Sequence, residues 1–152
     1  MRKVFILVAL LVINHLSVDA QNINDVITWK CSIVSEVIDS QTEVEILFSA
    51  KLAEGWSLYA CGFKSSQPSP KPLGFLFSEN GSFEVLKYPV PIAPLKLITN
   101  EGGKEVLYFT NHAEFRAKIR ILEPTADICG VMRGQVFNKN GEHLNFDRKF
   151  QF

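Results

Sequence analysis

Past its first twenty residues this sequence has no apolar run that would cross a bilayer, no excess of either charge, only two histidines and three cysteines. Each shortage removes a class of function. A spanning helix needs roughly 20 consecutive apolar residues, whereas the one long apolar run, Val4–Ile13, has ten. That run follows Arg2 and Lys3 and leads through a more polar tail to Val18-Asp19-Ala20. It therefore reads as the centre of a secretory signal covering residues 1–20, removed on export. The residue after Ala20 is Gln21 and not cysteine, which argues against a lipid-anchored product. Residues 21–152 then form a single domain with no membrane span, located in the periplasm or secreted.

Charge excludes more. The chain has 16 basic and 16 acidic residues, and setting aside Arg2, Lys3 and Asp19 leaves 14 and 15. That near-balance gives no electrostatic basis for binding nucleic acid or an anionic membrane. The cysteines Cys31, Cys61 and Cys129 are 30 and 68 residues apart, a spacing that fits no metal site. Three thiols cannot all pair within one chain, so at least one is free, buried or intermolecular. There is no Gly-x-Ser-x-Gly elbow, no phosphate loop and no His-Glu-x-x-His, and no cofactor or metal is expected. His112 and His143 stand in separate segments beside turns and read as surface residues.

What the sequence does have is alternation. Val44, Ile46, Phe48, Ala50 and Leu52 take every second position, as do Ala113, Phe115, Ala117, Ile119 and Ile121. Trp29, Cys31 and Ile33 follow the same rule, and so do Leu144, Phe146, Phe150 and Phe152, with Arg148 interrupting. Period two puts one set of side chains on one face of a strand. Shorter candidates cover 56–60, 73–78, 82–88, 104–109 and 128–137. Between the runs lie turn residues: Asp39-Ser40, Glu54-Gly55, Asn80-Gly81, Glu101-Gly102-Gly103 and Asn140-Gly141. Asn-Gly favours tight hairpins because both residues tolerate positive φ. Ser65–Pro72 and Tyr88–Pro94 hold six of the seven prolines and are expected to be loops or edge segments. No stretch has helical periodicity over a useful length. Eight or nine short strands predict an all-β fold, a β-sandwich in the first place and an antiparallel barrel as the alternative. The 12 phenylalanines would fill its core. Tyr59, Phe63, Tyr108 and Phe109 lie next to expected loops, either closing that core or forming a binding surface.

One order of motifs is distinctive. Thr28-Trp29 precedes Glu54-Gly55-Trp56-Ser57-Leu58-Tyr59, and a proline-rich loop then enters Phe75-Leu76-Phe77. Lys104-Glu105-Val106-Leu107-Tyr108-Phe109 and the strand Phe115–Ile121 follow. This order, and the Gly-Trp-x-Leu-Tyr string above all, resembles the N-terminal periplasmic domain of the thiol:disulfide interchange protein DsbD, from about residue 26 to the end. The resemblance implies an immunoglobulin-like antiparallel β-sandwich. In that family the domain takes electrons from a membrane-embedded domain and passes them to periplasmic thioredoxin-like proteins. It does so through two cysteines a few residues apart, at the end of the penultimate strand and in the turn after it. Here those positions fall on Phe137 and on Glu142 or His143. Cys129, the nearest thiol, lies eight residues before Phe137. The redox pair is missing, and exchange needs two thiols within bonding reach. The family's aromatic covering loop corresponds to Asn100–Asn111, with Tyr108 and Phe109.

The leading expectation is therefore a stand-alone, redox-inactive relative acting as a protein-interaction module, with Tyr59, Tyr108 and Phe109 as its candidate surface. Its partners would be periplasmic thioredoxin-like or other envelope proteins. Two alternatives stand beside it. One is a thiol–disulfide exchange accessory using Cys61 or Cys129, Cys61 being favoured by its place beside Gly62 near a loop. The other is a structural component of the envelope.

Overall fold

The alternating runs do become strands. In a computed structural model describing residues 22–34, 41–64, 69–92, 95–99, 103 and 105–152, β1 (Ile27–Val34) pairs antiparallel with β2 (Glu43–Leu52), placing Trp29 opposite Ala50 and Cys31 opposite Phe48. The segment 1–20 assigned to export lies outside the described residues. On β2 the five alternating apolar residues are all buried, and their polar neighbours face outward. β8 (His112–Ile121) repeats this pattern against β2, with Phe115 opposite Phe48. The outward side of the pair carries opposed charges, Arg120 with its register partner Glu43 at 3.1 Å and Arg116 diagonally with Glu45 at 3.5 Å. One face repels water and the other is ionic, which fixes the sheet's orientation.

The remaining elements complete two antiparallel layers. β3 (Trp56–Tyr59), β4 (Gly74–Phe77), β5 (Phe83–Pro91), β6 (Lys96–Thr99), β7 (Glu105–Thr110), β9 (Cys129–Asn138) and β10 (His143–Gln151) bring the described strands to ten. One sheet has the order β1-β2-β8-β5 and the other β10-β9-β3-β7-β6, with β4 pairing β9 beyond the end of β3. This is the sandwich, not the barrel. Between the sheets, Phe48 meets the rings of Phe75, Phe77, Phe150 and Phe152, with centroids 4.9 to 6.3 Å apart. Leu58, Phe109, Phe115 and Met132 are fully enclosed beside them.

Several details fill in the expected elements. A single helical turn, α1 (Ile23–Val26), precedes β1, with the Asn22 side chain accepting from the Asn24 N–H at 3.0 Å. The proline-bearing stretch from Tyr88 runs on as β5 up to Pro91, at the sheet edge. An edge strand needs ladder bonds on one side only, so missing N–H groups are tolerated there, and the register slips twice along it. β6 has all four residues exposed and therefore no burial alternation to betray it. Arg148, which breaks the pattern of β10, sits where that strand passes α1, and its guanidinium bonds the Asn24 side chain.

Candidate functional site

Leu58 anchors the geometry of the second sheet. It pairs with Phe109 on one side and Val136 on the other, and all three are fully buried between the sheets. Period two then forces their neighbours Tyr59, Tyr108 and Phe137 onto the outer face. The outer face of a sandwich sheet is ordinarily polar. Here it carries a block of rings.

The β9–β10 hairpin completes the block. Asn138 Oδ1 accepts from the N–H groups of Asn140 and Glu142 at 2.9 and 3.1 Å, and Gly141 takes φ 82°, so the chain reverses in a four-residue loop. The reversal sets His143 directly across from Phe137. Glu142 stays in the turn, its carboxylate bonded to the Asn138 side chain. Tyr59 and Phe137 stack at 4.2 Å between centroids and 19° between planes. The His143 ring lies nearly parallel to both, at 6.2 Å from Tyr59 and 6.1 Å from Phe137. Tyr108 meets Phe137 edge-on at 5.5 Å, and Phe63 meets Tyr59 edge-on at 6.2 Å. Offset and edge-on contacts of this kind favour aromatic pairs beyond the area they bury.

Hydrogen bonds hold the rings in place. His143 Nδ1 lies 3.0 Å from the Gly141 carbonyl oxygen, which only accepts, so Nδ1 carries the proton of the neutral ring. Nε2 is then the acceptor, and the Tyr59 hydroxyl donates to it at 3.3 Å. Burial pushes the Tyr59 phenol above its ordinary range, and the neighbouring Ser69 works against that shift. Ser69 is itself fixed, because its hydroxyl donates to Gln135 Oε1 at 2.8 Å. The same Gln135 oxygen accepts from the Lys71 N–H at 3.2 Å, while its amide donates to Asn145 at 2.9 Å. Gln135 is only 3% exposed and satisfied at both ends, so it fastens Ser69 and Lys71 to the sheet.

Beside the rings runs a groove of about 660 Å³ whose walls include Tyr59, Tyr108, Phe137, His143, Lys96 and Ile98. Of the expected site residues, the structure brings Tyr59, Tyr108, Phe137 and His143 together and leaves Glu142 in the turn. It does not bring in Phe109. One residue on from Tyr108, Phe109 faces the core against Phe115 at 5.1 Å and has no exposed surface.

The thiols lie elsewhere. Cys31, Cys61 and Cys129 form no disulfide. Cys61 follows the end of β3, and β4 takes the positions across from Gly130–Arg133, so Cys61 and Cys129 are not strand partners. Burial raises the Cys61 thiol above its ordinary value and pushes Cys31 up to about 11. Among the described residues no three His, Cys, Asp or Glu side chains converge as a metal site, and no helix is long and apolar enough to cross a membrane.

The two layers, their antiparallel pairing and the Greek-key-like exchange of strands between them define an immunoglobulin-like β-sandwich. Within that class the chain is similar to the N-terminal periplasmic domain of ScsB from Proteus mirabilis, with a TM-score of 0.58 and 14% identity over 87% of this chain and 48% of that one. It is similar also to the DsbD N-terminal domain of Neisseria meningitidis in its reduced form, with a TM-score of 0.57 and 12% identity over 88% of this chain and 90% of that one. The chain thus spans about half the length of the ScsB structure and nearly all of the DsbD domain. No family model and no curated protein sequence matches it. At such identities the likeness is one of fold.

Proposed function

We propose that this is an exported, DsbD N-terminal-like domain that binds protein partners in the periplasm through the outer face carrying Tyr59, Tyr108, Phe137 and His143, and that it performs no thiol–disulfide exchange there. The observation that carries the reading is the ring block itself, on a sheet face that would be polar if it met only water. Aromatic side chains are the commonest anchors of protein interfaces. A thioredoxin-like or other envelope protein is the partner class that the fold's relatives suggest.

The missing chemistry supports the same reading. Phe137 and His143 stand directly across the hairpin, where a disulfide pair would need to stand, and neither carries sulfur. The three cysteines lie outside the ring block, and the thiols of Cys31 and Cys61 are shifted away from the thiolate form that exchange requires. Site-specific photo-crosslinking tests the proposal. A crosslinking side chain at Tyr108 is expected to give discrete adducts with envelope proteins, and one at Lys118 on the opposite sheet is expected to give none. Adducts of equal yield from both positions, or adducts that survive Phe137→Asp, would remove the basis for it.

A further inference from the structure

The ring block stops at a free sheet edge. β6 is the last strand of its sheet, and among the described residues its outer side has no backbone partner. Its residues pair with β7 as Lys96 to Tyr108, Leu97 to Leu107 and Ile98 to Val106. Along such an edge every second residue presents its N–H and C=O outward. Proteins usually protect an edge like this by a bulge, a proline, a covering loop or inward-pointing charge. The described part of β6 has no proline and no break in register, and Leu97 and Ile98 are 54% and 43% exposed.

Charge at the same place has one sign. Lys96 and Lys139 line the groove beside the rings, and no carboxylate does. Of the acidic residues close by, Glu142 is bonded to Asn138, Glu54 precedes the lining residue Gly55, and Glu105 stands across from Thr99, one residue from Val106 and so on the opposite face of the sheet from Tyr108. Tyr108 belongs both to the ring block and to the strand that carries β6, so the rings, the lysines and the open edge form one continuous surface.

We infer that the occupant of this surface is an extended acidic segment of a partner protein, added as a further strand to β6. The inference rests on the proposed binding role and names the partner's chemistry. The segment's backbone would complete the ladder that β6 leaves open. Its alternate side chains would lie on the groove face, an apolar or aromatic one against Ile98 and Tyr108 and an acidic one by Lys96. Strand addition of this kind takes affinity from main-chain hydrogen bonds and specificity from alternate side chains.

Synthetic peptides test it on the intact protein. The probe is an end-capped octapeptide of alternating threonine and valine, with a central phenylalanine and two flanking aspartates. The controls are the same peptide with lysines for the aspartates, and one N-methylated at alternate residues. Titration followed by backbone amide NMR is expected to move the amides of Lys96–Thr99 first. The acidic peptide is expected to bind about tenfold more tightly than the lysine peptide, since exchanging a modest rim attraction at Lys96 for a repulsion of like size accounts for a factor of that size. In Lys96→Glu the preference is expected to reverse, and the N-methylated peptide to bind more weakly. Equal binding of acidic and basic peptides, unchanged binding after N-methylation, shifts that avoid β6, or no binding at all would each overturn the strand-addition inference. If the peptide fails while Tyr108 crosslinks persist and depend on Phe137, the binding role stands and its strand-like partner falls. If both fail, the face is not an interface.

Discussion

Cys31 shows how far a single position sets the chemistry available to this chain. Its thiol is pushed up to about 11 by burial on the inner side of β1, against Phe48. A raised thiol pKa means that the folded protein holds this proton more tightly than the unfolded chain does. The associated stability is complete below the ordinary thiol range near 9.0 and is lost as pH rises toward about 11. Burial shifts the Cys61 and Tyr59 protons in the same direction, so they add to the same alkaline loss. Melting temperature is expected to fall between pH 9 and 11 and to fall less steeply in Cys31→Ala. An equal slope in the two proteins would assign the loss to other groups. A second test at this scale concerns Phe137, His143 and Glu142. Cross-strand partners have Cα atoms about 4.5–5.5 Å apart, within the range a disulfide spans. Phe137→Cys with His143→Cys is expected to oxidise to a disulfide in the folded protein. Phe137→Cys with Glu142→Cys is expected to remain reduced, since Glu142 lies in the turn. Thiol counts before and after reduction read the difference, and the opposite pattern would contradict the register of this hairpin.

At the scale of elements, legibility followed burial. β2 and β8 are central in their sheet, so each has one wet and one dry face and the period-two pattern is complete. β6 has no dry face, and its Lys-Leu-Ile-Thr string carries no pattern to read. The ring block was legible in part. Tyr59 and Tyr108 stood out as aromatics beside turns, but placing Phe109 with them overlooked that adjacent strand residues face opposite ways. The sequence left Glu142 and His143 as alternatives for the second position, and only the turn geometry at Asn138–Gly141, which sets the register of the hairpin, brings His143 across from Phe137. Gly130 shows a constraint of another kind. It lies on β9 between β4 and β10, and a Cβ there would stand 2.2 Å from the Leu76 carbonyl oxygen and 2.6 Å from the Phe150 ring. Gly130→Ala therefore has to part β4 from β9 or displace Phe150, at a cost of about 1–3 kcal/mol by analogy with overpacked cores. Denaturant unfolding checks this. A loss below about 0.5 kcal/mol, the scale of a neutral surface change, would mean that the contact relaxes freely.

Across the whole molecule the aromatic residues divide into two populations with separate duties. Phe48, Phe75, Phe77, Phe115 and Phe150 lock the sheets together, whereas Tyr59, Tyr108, Phe137 and His143 lie outside that lock, on the far side of the second sheet. The division makes stability and binding separable, which would not hold if the outer rings were an overflow of the core. Phe48 is fully buried and touches four other rings, so Phe48→Ala is expected to cost about 3–5 kcal/mol, as large aromatic truncations in closed cores do. Tyr108→Ala removes a half-exposed ring that no core residue needs, and its cost is expected to stay within about 1 kcal/mol. Peptide binding should respond in the reverse order, with Tyr108→Ala abolishing it and a Phe48 variant still folded at low temperature retaining it. Unfolding curves and peptide titration on the same two proteins decide the matter. If Tyr108→Ala destabilises the fold as much as Phe48→Ala does, the outer rings are structural and the surface loses its claim to be an interface.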